Sequence, residues 1–268
     1  EDIWPAEAAL TPEDVRAGAD LGILEMIRSG TTAFADMYFH VGEVVAAVEQ
    51  AGLRARVGHG AVTVGKDDAD GRADVEESIA VAREFDGAAG GRVRTAVMPH
   101  SLTTVSEPLL REAAAAARDD GIPVHFHANE TRDEVDPIVE ERSVRPLAYA
   151  DDVGALSRED FLAHAVHVDG SEIDRLAAAG TAVVHCPASN MKLASGIAPV
   201  KELLDAGVTV ALGTDGAASN NDLDLFGEMR DAAMVGKLGA DDAAAVPAAA
   251  AVRMATRGGA AALSLPGG

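Results

Sequence analysis

Cysteine is almost missing from this chain of 268 residues: Cys186 stands alone. One thiol closes no internal disulfide and builds no multi-cysteine zinc centre. The composition therefore points to a reducing, cytoplasmic compartment and leaves histidine and carboxylate to hold any metal. Long apolar runs are absent as well. No stretch approaches the roughly 20 residues that cross a bilayer, and the opening EDIWPAEAAL lacks the basic and apolar regions of a secretory leader. Lysine is scarce, with Lys66, Lys192, Lys201 and Lys237 only, and aromatics make up 3%. Acidic residues outnumber basic ones 44 to 22, for a formal charge of −22. Such a field repels nucleic acid and anionic membranes, so neither is expected as a partner. An acidic surface poor in lysine and aromatics is also what solubility in strong salt asks for, which points to a halophilic source; an acidic mesophilic protein would carry the same site. Neither G-x-G-x-x-G nor G-x-x-x-x-G-K-[ST] follows an apolar run, which removes a phosphate-binding loop.

What is present is a regular alternation. With 48% apolar residues the chain has enough material for one large core. TPEDVRAGADLGILEMIRSG reads as a helix, with Thr11 as N-cap, Pro12 in the first helical position, Arg28 in the last turn and Gly30 as stop. Seven short apolar or β-branched runs follow, at 31–37, 54–62, 93–100, 123–129, 161–168, 181–187 and 209–215, separated by helical patterns that often end at glycine. Near-continuous apolar strands, each followed by a helix, predict a parallel sheet covered by helices. A doubly wound sheet and a (β/α)8 barrel both satisfy that alternation. The strand ends favour the barrel: Asp36, His59, His100, His127 with Glu130, His164, His185 and Asp215 stand at or just past successive C-terminal ends, and only a barrel gathers all of them at one mouth. The fold class expected is thus an α/β barrel over residues 1–268, a single catalytic domain and an incomplete one. Seven strands leave one to be sought before residue 1, and Glu1 and the closing LSLPGG read as cut ends.

In PVHFHAN the two-residue strand period places His125 and His127 on one face and Phe126 on the other, with Glu130 just beyond in the loop. Neutral imidazole is the commonest metal ligand, and a glutamate beside an activated water is a usual proton carrier. An isolated H-x-H is as well read as packed histidines. His164 alone reads as a core residue, and Asp215 as a helix cap. Taken jointly on three strand ends, His127, His164 and Asp215 call for a divalent cation, because a carboxylate closing an apolar strand is costly to bury without a positive partner.

Four segments, HANET (127–131), HAVHVD (164–169), HCPASNMKLASGIAPV (185–200) and GTDGAASNNDLDLFGEMR (213–230), resemble the amidohydrolase superfamily, and within it the deaminases of 5'-methylthioadenosine and S-adenosylhomocysteine. The similarity runs from WPAE to ATRGGAAAL. It implies a metal-dependent barrel that binds one divalent metal, most often zinc and in some members iron, through an H-x-H on the first strand, a histidine on the fifth and an aspartate on the eighth. His127 and Asp215 match the last two. His164 matches a sixth-strand histidine that orients the attacking water and is sometimes drawn as a ligand; Glu130 matches the acid/base that carries a proton from water to a purine ring nitrogen. The implied substrate contacts are Glu7 for the ribose hydroxyls, Arg72 for the amino-acid carboxylate of the homocysteine arm, His100 facing the nucleoside, and His59 where relatives carry a second arginine. Glu130 would touch the substrate too. Read without the resemblance, Glu7 is a solvated acid and Arg72 a surface charge.

The chain departs from the pattern at several points: His59 stands where relatives carry a second substrate arginine, and PHSLTT lacks the aromatic often found there. Its only H-x-H is on the fifth strand, and the small β-sandwich that flanks the barrel in relatives is missing. The reading is a hydrolytic deaminase of an adenine nucleoside, with that nucleoside as small-molecule partner and homo-oligomerisation left open. Alternatives are another member of the superfamily, such as a guanine or cytosine deaminase or a triazine-type chlorohydrolase, and a metal-free, inactive barrel. The remaining histidines take structural readings: His125 packs beside the site, His167 caps the sixth strand, His40 starts a helix, and His185 with Cys186 lines the end of the seventh. ASNMKLASG is expected to shape a loop at the mouth.

Overall fold

In the computed structural model, which describes residues 3–265, the first long helix spans Pro12–Arg28. Thr11 and Asp14 close a reciprocal capping box at its start, so two otherwise orphaned backbone donors are satisfied there. Eight strands follow: β1 (Ala33–Tyr38), β2 (Arg54–Ala61), β3 (Val93–Thr95), β4 (Met98–Pro99), β5 (His125–Ala128), β6 (Phe161–His164), β7 (Ala182–His185) and β8 (Val210–Leu212). Every pairing is parallel. β1 joins β2, β2 takes both β3 and β4, and β5 to β8 pair in sequence. Bridges Val97 to Val124 and Ser101 to His127 connect the halves into one curved sheet. The seven apolar runs are therefore seven barrel positions, the third broken at Ala96–Val97 into β3 and β4.

Two strands end three or four residues before the ends of the runs that announce them. The run 161–168 stays extended only to His164, because His164 (φ 76°) and Ala165 (φ 51°) turn into the left-handed region. The run 209–215 ends its ladder at Leu212, although the Gly213 amide still donates to His185 O at 3.0 Å.

Side chains alternate as parallel strands under helices require. Phe126, Leu162, Val183 and Val210 face the helices, in one cluster with Leu110, Ile138, Leu176 and Leu203. Ala96, Met98, Phe161, Ala182 and Ala211 fill the interior, closed below by Ala262, Leu263 and Leu265. A third cluster packs β1 and β2 against the helices Pro12–Arg28 and Val41–Ala51. Among the described residues β8 and β1 do not pair with each other. The C-terminal helical segment 254–263 lies there, touching β8, and its last turn, Gly259–Leu263, also meets β1 and β7. The approach is tight: a Cβ on Gly258 would stand 2.3 Å from Val210 O.

Candidate active site

The C-terminal ends of β5, β6 and β8 and the loop after β7 carry the site. His127 points into the barrel from β5, with Nδ1 2.7 Å from His100 O. A carbonyl can only accept, so the proton sits on Nδ1 and Nε2 keeps its lone pair for the cavity. Burial, helped by the neighbouring His164, lowers the pKa of His127 and keeps the ring neutral. That is the state a metal needs: a ligand nitrogen with its other nitrogen anchored by a backbone acceptor. His164 faces it, ring centroids 5.5 Å apart, and its Nδ1 lies 3.0 Å from Asn190 Oδ1. Glu130 Oε2 stands 3.6 Å from His164 Nε2, while Glu130 Oε1 accepts from Ser195 Oγ at 3.3 Å. Asp215 accepts from Ser189 Oγ at 2.7 Å and from the Gly216 amide at 2.8 Å.

Backbone strain collects at this place. Asn129 (φ 54°), His164 (φ 76°), Ala165 (φ 51°) and Asp215 (φ 62°) all occupy the left-handed region, which costs a non-glycine residue on the order of 1–3 kcal/mol. Buried contacts hold the strained residues in place. Asn129, for example, is fixed by Glu172, which accepts from its amide at 3.1 and 3.2 Å, and Glu172 is itself held by Arg145 and the Leu147 amide. The Glu130 amide donates to Glu134 Oε2 at 3.0 Å.

Of the residues singled out in the sequence, His127, His164, Glu130 and His100 come together. The ring of His100 lies 4.8 Å from that of His127, and burial together with His127 and His164 pushes its pKa down to about 4. Glu7 reaches the mouth through Tyr38, the last residue of β1, whose hydroxyl donates to Glu7 Oε1 at 3.1 Å. His125 stacks on Phe161 with centroids 4.2 Å apart, a packing role, as expected. His40 stands just before the helix Val41–Ala51 without a side-chain cap bond, and His167 binds Ser195 O at 2.8 Å.

The structure does not bring His59 or Arg72 to this cluster. His59 shares a face of β2 with Val57 and Ala61, the helix-facing side, while Gly58 and Gly60 face inward against Met98 and Met37. Its ring lies under the helix Asp68–Phe85, with Nε2 3.0 Å from Asp74 Oδ1 and Nδ1 3.7 Å from Glu77 Oε1. Arg72 is tied at 2.7 Å to Glu112 of the helix Glu107–Asp120, half exposed on the outer layer. Among the described residues His59, Asp74 and Glu77 are the one set of metal-ligand types whose donor atoms lie within 4.8 Å of one another. The two carboxylates approach opposite nitrogens of the ring, Lys66 Nζ sits 2.8 Å from Asp74 Oδ2, and His59 Nδ1 has no hydrogen-bond partner, the Glu77 oxygen standing off at 3.7 Å. Burial raises the Asp74 carboxyl, but its bonds to His59, Lys66 and the Val62 amide outweigh that and bring it to about 2.

Residues 3–268 match the amidohydrolase family. The chain belongs to that family. It is 69% identical, over all 268 residues, to a 5-methylthioadenosine/S-adenosylhomocysteine deaminase of Haloquadratum walsbyi, of which it covers 60%. It is 47% identical over the same length to a 5'-deoxyadenosine deaminase of Methanothermobacter thermautotrophicus, covering 62% of it. Among solved structures, an adenosine deaminase from Xanthomonas campestris with bound zinc superposes with a TM-score of 0.90 at 39% identity, over 98% of this chain and 60% of that one. An atrazine chlorohydrolase from Arthrobacter aurescens complexed with zinc gives 0.88 at 28% identity, over 98% and 62%. The amidohydrolase chain thus spans about three fifths of the length of the relatives it matches, and its α/β barrel is theirs.

Sequence reading did not single out Asn190, Ser189 or Ser195 as the residues that hold His164, Asp215 and Glu130. ASNMKLASG was expected to shape a loop at the mouth, and these three residues belong to it. No local signal in that segment says which distant side chain each one meets.

Proposed function

We propose that this amidohydrolase barrel is the catalytic unit of a hydrolytic deaminase acting on the adenine ring of a nucleoside such as 5'-methylthioadenosine, S-adenosylhomocysteine or adenosine. The reading rests above all on one observation: an identity of 69%, over all 268 residues, to a deaminase of that substrate class. The gathering of His127, His164 and Glu130 supports it.

His127, Asp215 and His164 would hold a divalent cation, with zinc favoured by the zinc-bound solved relatives. The donor types fit, a neutral imidazole anchored through Nδ1, a carboxylate at a strand end and a second anchored imidazole, although their donor atoms do not all lie within 4.8 Å of one another. When bound, the cation supplies Lewis acidity that lowers the pKa of a water into the neutral range. The protein groups do the rest. Ser189 and Asn190 aim Asp215 and His164 at that water, and Glu130, steadied by Ser195, takes its proton. Glu130 hands the proton to a ring nitrogen as oxygen adds to C6 of the purine. As the tetrahedral carbon collapses, the proton of the added hydroxyl passes to the amino nitrogen, the C6–N bond breaks and ammonia leaves, giving the inosine analogue. Water and aminopurine are consumed, oxopurine and ammonia formed, so atoms and charge balance.

Ammonia release by the full-length protein from methylthioadenosine, S-adenosylhomocysteine, adenosine, guanine and cytosine, with chloride release from a chlorotriazine, tests the proposal. The adenine nucleosides are expected to turn over; activity confined to guanine, cytosine or the triazine sinks it. Because Arg72 and His59 are both engaged by carboxylates away from the cluster, kcat/KM is expected to be higher for methylthioadenosine than for S-adenosylhomocysteine.

A further inference from the structure

The loops after β7 and β8 meet at a carboxylate that the mechanism above does not use. Glu228 lies on the helix Leu225–Gly239, outside the sheet, yet is only 2% exposed. Its Oε1 accepts from Asn220 Nδ2 at 2.7 Å and its Oε2 from the Ala188 amide at 3.2 Å. Both lead directly to the site. Asn220 Nδ2 also donates to Thr214 O at 2.8 Å, immediately before Asp215. Ala188 precedes Ser189, whose hydroxyl holds Asp215, and Asn190, whose side chain holds His164. The Asn190 carbonyl in turn accepts from the Ser195 amide, and Ser195 holds Glu130.

We infer that Glu228 is a positioning residue, one buried carboxylate that ties the loop after β7 to the loop after β8 and so aims Asp215 and His164 at a common point. The inference rests on the functional reading for what stands at that point, but not for the tie itself. Three observations support it. Both neighbours of Glu228 are donors, so the position demands two acceptor oxygens, and glutamine of the same shape supplies only one. No described ion pair reaches the carboxylate, and burial pushes its pKa up to about 7, so the group is unfavourable to keep for stability alone. Asp215 and His164 are both in the left-handed region, conformations that need support from outside their own turns.

The test compares Glu228→Gln and Asn220→Ala in the full-length protein. Zinc affinity is measured by chelator competition, and the visible spectrum of the cobalt(II)-substituted protein reports the arrangement of the ligands. Loss of such an outer support lowers metal affinity roughly 10- to 100-fold. That weakening is expected in both variants, with an altered cobalt spectrum, a fall in kcat larger than any rise in KM, and little change in the Tm of the metal-free protein. Wild-type zinc affinity and cobalt spectrum in both variants would overturn the inference. Should Glu228→Gln fail to fold, Asn220→Ala decides alone. If the wild-type protein binds no zinc, the functional reading falls by itself. The positioning role is then judged on amide hydrogen exchange in 186–195 and 213–221: faster exchange in both loops of either variant supports it, and wild-type rates overturn it.

Discussion

Glu130 and His164 illustrate how far a single side chain can be argued. One Glu130 oxygen stands 3.6 Å from His164 Nε2, and the other is held by Ser195. On the function proposed above, Glu130 carries a proton and is not a ligand. Glu130→Gln is expected to lower kcat by about 10²- to 10⁴-fold, the usual contribution of general acid–base catalysis, with zinc content unchanged by elemental analysis. Equal loss of metal would instead make Glu130 a ligand. Two other histidines bear on stability. Burial pushes His125 and His185 down to about 3, well below the 6.5 of an unfolded chain. As pH falls from 6.5 towards 3 the unfolded state gains protons that the folded state refuses. Stability is therefore present above pH 6.5 and lost on acidification, with a slope of up to about 1.4 kcal/mol per pH unit for each ring. Urea midpoints at pH 7 and pH 5 measure this, and His185→Gln should flatten the dependence. Identical slopes in variant and wild type would show that His185 is not buried neutral.

At the scale of elements, the strands were legible because apolar runs of about four to eight residues are too short for the covering helices and suit strands buried on both faces. Thr11 as N-cap with Pro12 behind it marked the first long helix, and the structure adds the reciprocal bond to Asp14. The break between β3 and β4 and the early end of β6 were not legible, since both come from backbone turns that the same apolar residues would tolerate either way. The C-terminal helical segment shows a second kind of tertiary decision. Gly258 has an ordinary helical φ of −63°, so nothing local requires glycine; the Val210 carbonyl on β8 does. Gly258→Ala should force this segment off β8 and cost roughly 1–3 kcal/mol, the range for overpacking. A fall in the urea midpoint at constant m-value would register it, and an unchanged midpoint would show that the helix gives way freely.

Over the whole molecule, charge matters most. A formal charge of −22 on 268 residues repels itself within the folded state, and dissolved salt screens that repulsion over about 10 Å at 0.1 M and about 3 Å at 1 M. The Tm of the full-length protein is expected to rise as KCl increases from 0.1 M to 2 M; a flat or falling Tm would remove the link between composition and strong salt. The relative of 69% identity comes from a halophile, Haloquadratum walsbyi, in line with the composition. No described helix is long and apolar enough to cross a membrane.

By itself the sequence determined the alternation of strand and helix, the choice of a barrel, the family, and the residue types at the strand ends, because each depends on periodicity or on a motif within a few residues. Even the outward turn of His59 had a signal, since Val57 and Ala61 share its face of β2. Only the tertiary structure decided which partner each polar group takes. Arg72 could serve a substrate or a neighbour until Glu112, forty residues on, occupied it, and Glu228 was one carboxylate among 44 acidic residues until two loops met at it. Hydrogen bonds and ion pairs act within about 4 Å, and which groups come that close depends on how distant segments pack.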